Sequence, residues 1–157
     1  MPLELHDKEP YMRITSVLVA SALTVATGVA LAGPSDFTIT PAGTAKFAPI
    51  DPKQPKGPEV AIISGDPKTG PVSFLLKLPK GKVPVHWHTS NYWAVVVEGQ
   101  SKHWLPGKEA DAKANGPGTA WYQAGGSDKQ AHGDSCESDS CTIFIVMDKK
   151  LDLTPVK

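Results

Sequence analysis

Beyond residue 32, no stretch of this 157-residue chain repeats its apolar residues at helical spacing, and that confines it to strands. Short apolar runs follow one another, each closed by glycine or proline: 60–64 before Gly65, 72–78 before Pro79 and 92–98 before Gly99, after which the more polar 100–105 ends at Pro106. Residues 72–78 alternate, with Val72, Phe74, Leu76 and Leu78 on one side and Ser73, Leu75 and Lys77 on the other, the period of a half-buried strand. The 15 prolines and 14 glycines suit tight turns between such strands. An all-β sandwich or barrel is therefore expected, with a core drawn from Ile62, Phe74, Leu76, Val95, Val97, Ile143 and Ile145. Residues 37–40 and 46–50 read as short edge strands. A turn is expected at 79–81, and 100–105 should return as the hairpin partner of 92–98. Residues 108–115 read as a loop, 119–123 as a strand, 124–131 as a loop with His132 at its far end, and 141–148 as a closing strand.

The N-terminal part has a different character. Residues 12–32 combine Arg13, a long apolar stretch and a small-x-small end at Ala30 and Ala32, the build of an export signal cleaved near Ala32. No stop-transfer cluster follows, so no stable membrane anchor is expected and the mature protein should be periplasmic or secreted. Residues 1–11 are acidic, unlike the start of a signal, and read as an over-long start before Met12. The expected organisation is a signal at 1–32, a strand and linker region at 33–58 and a single barrel domain at 59–157. Sixteen basic residues balance sixteen acidic ones, which removes any electrostatic case for nucleic acid. Cys136 and Cys141 flank a short polar stretch in the exported part. An oxidising compartment favours a disulfide between them; the alternative is one thiolate joining a metal site.

His86 and His88 carry the chemistry. Two apart on a strand, their imidazoles point the same way; on a helix they would diverge by about 200°. Val83, Pro84 and Val85 before them favour an extended chain. A third histidine, His132, lies beyond the turn at 116–118. Three neutral imidazoles suit a divalent transition ion such as Zn, Fe, Mn or Ni and leave coordination positions open. His103 reads as a surface histidine, Asp128 and Asp134 as solvated loop charges. The tryptophans read as core or cavity lining, Trp93 and Trp121 as cavity lining in particular, with one of Trp121 and Tyr122 facing outward or into a partner.

Taken together, GDP at 65–67, HWHTSNYWAVVVEG at 86–99, PGTAWYQAGG at 117–126 and the following His132 and cysteine pair resemble the two-part cupin signature. More narrowly they resemble exported cupins of the DUF4437 or ChrR-like kind. The resemblance covers about residues 58–152 and implies a double-stranded β-helix, the cupin jelly-roll barrel, with a metal inside. Carried over residue by residue, it assigns His86, His88 and His132 as ligands. The glutamate of the pattern is missing: Tyr92 or Trp93 stands in its place, and Glu98 falls at the end of the strand. Without a carboxylate, a hard cation is held less firmly. Gln123 and Tyr92 are the candidates for a fourth ligand or for orienting a substrate. The resemblance also implies a homodimer formed through an outer sheet.

Two functions from different classes follow, beside a third reading in which the barrel is structural and its histidines have lost the metal. One is a metal-dependent enzyme acting on a small organic molecule. The other is a non-catalytic periplasmic protein that holds a metal or small ligand. No nucleophile elbow or phosphate-binding loop is present,, and no catalytic residue is assigned from the sequence.

Overall fold

The computed structural model describes residues 37–156; the expected export signal at 1–32 lies outside them. The strands are β1 (Ala48–Pro49), β2 (Glu59–Gly65), β3 (Val72–Trp87), β4 (Tyr92–Glu98), β5 (Ser101–Trp104), β6 (Ala120–Gln123), β7 (His132–Met147) and β8 (Thr154–Pro155). Among the described residues the only helical segments are two 3-10 turns, Glu109–Asp111 and Asp128–Gln130. The all-β expectation holds. All the strand pairings are antiparallel, in the order β1-β2-β3-β7-β4-β6, with β5 added on β7 and β8 on β3.

Two strands are longer than the sequence implied. Residues 79–81 do not turn the chain: β3 runs through them with an irregularity opposite the cysteines, between Pro79 and Gly81. The polar residues 132–140, in which no strand was expected, form the first half of β7. Polar side chains hid this half because its inner face carries the site rather than apolar core. The expected hairpin of 92–98 with 100–105 is also absent. Instead β4 pairs with the second half of β7 (Trp93 opposite Val146) and β5 with its first half (His103 opposite Asp134). Gly99 makes this relay possible. Its φ is +84°, and a Cβ there would lie 2.4 Å from the Ser140 carbonyl oxygen, so the corner admits only glycine. Cys136 and Cys141 are joined in a disulfide, with Cα atoms 5.7 Å apart, across the base of the 137–140 excursion.

The interior is built from one face of each long strand. Val72, Phe74 and Leu78 of β3, Tyr92 and Ala94 of β4, and Ile143, Ile145 and Met147 of β7 form one buried cluster. Phe74, Ile143 and Ile145 were expected there, and Leu76 is packed against it. Ile62, Val95 and Val97 are not core: they are 41%, 37% and 51% exposed. On β4 the parity is the reverse of the expected one, because Tyr92 takes the inward position and side chains alternate from there. Of the expected edge strands, only Ala48–Pro49 forms, against β2; 108–115 contains a 3-10 turn.

Candidate metal centre

Five strands bring polar groups to one end of this apolar interior. His86 faces His132 directly across β3 and β7. That pairing depends on a register slip. From Gly81 opposite Cys136 to Val83 opposite Asp134 the strands run in step; an irregularity before His86 then advances the pairing by one residue. In-step pairing would have set His86 against Ala131 and His132 out of place, since a one-residue slip exchanges the faces. His88 follows the end of β3, its ring centroid 4.9 Å from that of His86 and 5.3 Å from that of His132.

Each of the three imidazoles is held through its outer nitrogen. Nδ1–H of His86 donates to the Pro84 carbonyl at 2.7 Å, that of His132 to the Gln130 carbonyl at 3.3 Å, and that of His88 to the Asp152 carbonyl. A carbonyl can only accept, so every Nδ1 carries its proton and every Nε2 is left with a lone pair. One ligand nitrogen from each ring lies within 4.8 Å of the others. Backbone carbonyls that orient histidines in this way are the usual outer support of a metal ligand set. The Tyr92 hydroxyl donates to His132 Nε2 at 3.1 Å.

Burial favours the neutral form of His88 and His132. Burial lowers the His132 pKa to about 4, aided by repulsion from His86, His103 and His88 and opposed by Asp134. Burial likewise lowers His88, against its bond to Asp152. The Tyr92 phenol is raised well above its ordinary value, first by burial and then by Asp134. The donor set therefore fits a borderline divalent cation: three imidazoles brought together, two of which, His88 and His132, burial holds against protonation,.

Two residues that the sequence reading put at the surface belong to the site. Asp134, expected to be a solvated loop charge, points inward from β7 two residues after His132. His103, expected at the surface, is half-buried beside it. His103 Nδ1–H donates to Asp134 Oδ1 at 2.7 Å and Nε2–H to Gln123 Oε1 at 3.1 Å. Gln123 cannot be turned the other way, since its Nε2 donates to the Ala124 and Gln130 carbonyls at 3.2 and 3.0 Å. Both nitrogens of His103 thus face acceptors, the arrangement of an imidazolium. Burial opposes that charge, but the bonds to Asp134 and Gln123 raise the His103 pKa overall. Burial also works against the Asp134 carboxylate, yet His103 holds its pKa below the usual value. The signal that pointed to Asp134 was its spacing: His132 and Asp134 repeat the two-residue step of His86 and His88.

The candidates for a fourth ligand separate accordingly. Tyr92 reaches the histidines; Gln123 is turned to His103 and backbone carbonyls. Trp121 lines the cavity, whereas Trp93 does not: it lies outside and is 52% exposed. Tyr122 faces outward, as one of that pair had to. The cavity has a volume of about 390 Å³, and its walls beyond the histidines are largely apolar, including Phe74, Leu76, Ile145 and Leu151.

No protein-family model matches the sequence, and no curated protein matches it. Solved structures do. An RmlC-like cupin from Ralstonia eutropha superposes with a TM-score of 0.55 at 19% identity, covering 71% of this chain and 68% of that one. The DMSP lyase DddQ from Ruegeria pomeroyi gives 0.54 at 14% identity, over 71% of this chain and 60% of that one. KdgF from a Halomonas species gives 0.50 at 19% identity, over 67% and 89%. The fold is thus the cupin barrel.

Proposed function

We propose that this is an exported cupin that binds a divalent transition metal through His86, His88 and His132 and acts on a small, largely apolar organic molecule in the adjoining cavity. The observation that carries the reading is the three Nδ1–H bonds to backbone carbonyls, which leave three neighbouring Nε2 atoms without a proton. Zn, Fe, Mn and Ni all accept imidazole, and when bound such an ion supplies Lewis acidity toward a substrate oxygen. The chain's own residues orient and enclose: Tyr92 offers a hydroxyl beside His132, and the apolar walls hold the substrate body and exclude water. DddQ, of the same fold, is a lyase by name, which favours an enzyme. The non-catalytic alternative draws on Tyr92, whose raised phenol pKa makes it a poor base,.

Metal content decides first. Mature protein purified from an oxidising compartment should carry close to one equivalent of metal, and a His86→Ala/His88→Ala variant almost none. Equal content in the two overturns the reading. Turnover of small oxygenated substrates that is lost in His88→Ala separates enzyme from binding protein.

Export is supported by the signal-like segment at 12–32 and by the disulfide,; no helix among the described residues is long and apolar enough to cross a membrane. The exported DUF4437 or ChrR-like cupins remain the proposed subfamily on the motifs at 86–99 and 117–126. A homodimer is proposed through the outer face of β4, β6 and β7. There Trp93, Val95, Val97, Tyr122 and Val146 stand exposed on paired strands, and the Trp93 and Tyr122 rings lie 5.2 Å apart, an apolar grouping of the kind found at interfaces.

A further inference from the structure

We propose that Asp134 is the fourth protein ligand of this centre, supplying from β7 the carboxylate that the stretch after His88 lacks. The inference rests on the reading of His86, His88 and His132 as ligands. It starts from the two oxygens of Asp134. Oδ1 is taken by His103. Oδ2 accepts no hydrogen bond among the described residues and lies 3.8 Å from Nε2 of both His86 and His132. All three of these atoms are acceptors, because the imidazole protons are committed on the Nδ1 side, and only His132 Nε2 is met by a donor, the Tyr92 hydroxyl. Buried acceptors turned toward one another repel unless a cation lies among them. Two ligands each about 2.1 Å from one ion stand roughly 3.0–4.2 Å apart, according to the angle between them. The 3.8 Å separations fall in that range.

His132, Asp134 and His103 also meet the distance criterion for a metal group of their own. The hydrogen bonds exclude a second centre there, since His103 has no lone pair left to give. Asp134 Oδ2 instead faces two of the three ligand rings, His86 and His132, with His103 behind the carboxylate. His103 then acts as a positioning residue: its charge-assisted bond fixes the Asp134 carboxylate and turns Oδ2 toward the histidines. With three neutral rings, the carboxylate of Asp134 would partly neutralise a divalent ion.

The test uses the metal-stripped mature protein titrated with Zn²⁺ and with Co²⁺. Asp134→Asn should bind Zn²⁺ at least tenfold more weakly than wild type and give a changed Co²⁺ visible spectrum, with His86→Ala as the control that loses binding. Unaltered affinity and spectrum in Asp134→Asn, with loss in His86→Ala, overturns the proposal and leaves the three-histidine site standing. If wild type binds neither ion, the histidine reading itself fails, and this inference with it. A measurement on wild type guards against a variant that does not fold. In protein labelled with ¹³C-aspartate, the zinc-loaded minus stripped infrared difference should show a displaced carboxylate band. A flat difference in that region overturns the proposal.

Discussion

His86 stands directly opposite His132 across β3 and β7, and each ring is tied by Nδ1–H to the carbonyl two residues before it in the chain. The centre therefore has two ligands on neighbouring backbones before His88 is added. Removing one of them removes a nitrogen ligand. His132→Ala should lower Zn²⁺ affinity by about a hundredfold or more, since even losing an outer support costs 10- to 100-fold. Isothermal titration of stripped protein measures it; wild-type affinity in the variant would speak against the site.

The C-terminal segment is part of the ligand set's support. Asp152 accepts from the backbone N–H of Thr89 at 3.0 Å and from its hydroxyl at 2.5 Å, while its carbonyl receives His88. Asp152→Ala frees Thr89 and lets the carbonyl move. Zn²⁺ affinity should fall about tenfold and stability by about 1–3 kcal/mol, read from titration and urea unfolding. An Asp152→Ala protein with unchanged Zn²⁺ affinity would show that His88 does not need this anchor.

Acid should destabilise the metal-free protein in a definite window. Unfolded His132 takes a proton near its ordinary pKa of 6.5, whereas in the native state burial delays this to about 4. Between those values the unfolded chain holds more protons, so stability falls as the pH drops from about 6.5 to about 4. The loss attributable to His132 is on the order of 3 kcal/mol. Urea midpoints at pH 7 and 4.5 measure it, and His132→Gln should flatten the dependence.

Gly133 separates the two inward residues of β7, and the indole of Trp104 lies on its backbone. A Cβ there would come within 2.6 Å of that ring, which is itself buried. Gly133→Ala should cost about 1–3 kcal/mol through overpacking and shift the tryptophan fluorescence. A variant as stable as wild type would show that Trp104 has room to withdraw.

The outer face of β4 gives a prediction independent of the metal. Trp93 is 52% exposed and Val97 51%. Trp93→Lys/Val97→Lys should shift a dimer toward monomer in light scattering, leaving Zn²⁺ affinity unchanged. A wild-type protein that is monomeric at high concentration would remove the dimer.

The sequence by itself determined a great deal. The succession of short apolar runs ending in glycine or proline leads to an all-β barrel because strand period and turn chemistry are local properties. The step from His86 to His88 was legible for the same reason, and the short separation of Cys136 from Cys141 announced their bond. Tertiary structure decided which strand partners which, and with it the rest of the site. The expected hairpin of 92–98 with 100–105 gave way to pairing of both strands with β7, and only that exchange sets His103 opposite Asp134. Parity on β4 was undecidable locally, since Trp93, Val95 and Val97 are as apolar as Tyr92, Ala94 and Val96; closure of the barrel turned Tyr92 inward. The register slip before His86 has no local signature either. It is set by the joint packing of β3 against β7, and a difference of one residue there determines whether the histidines meet.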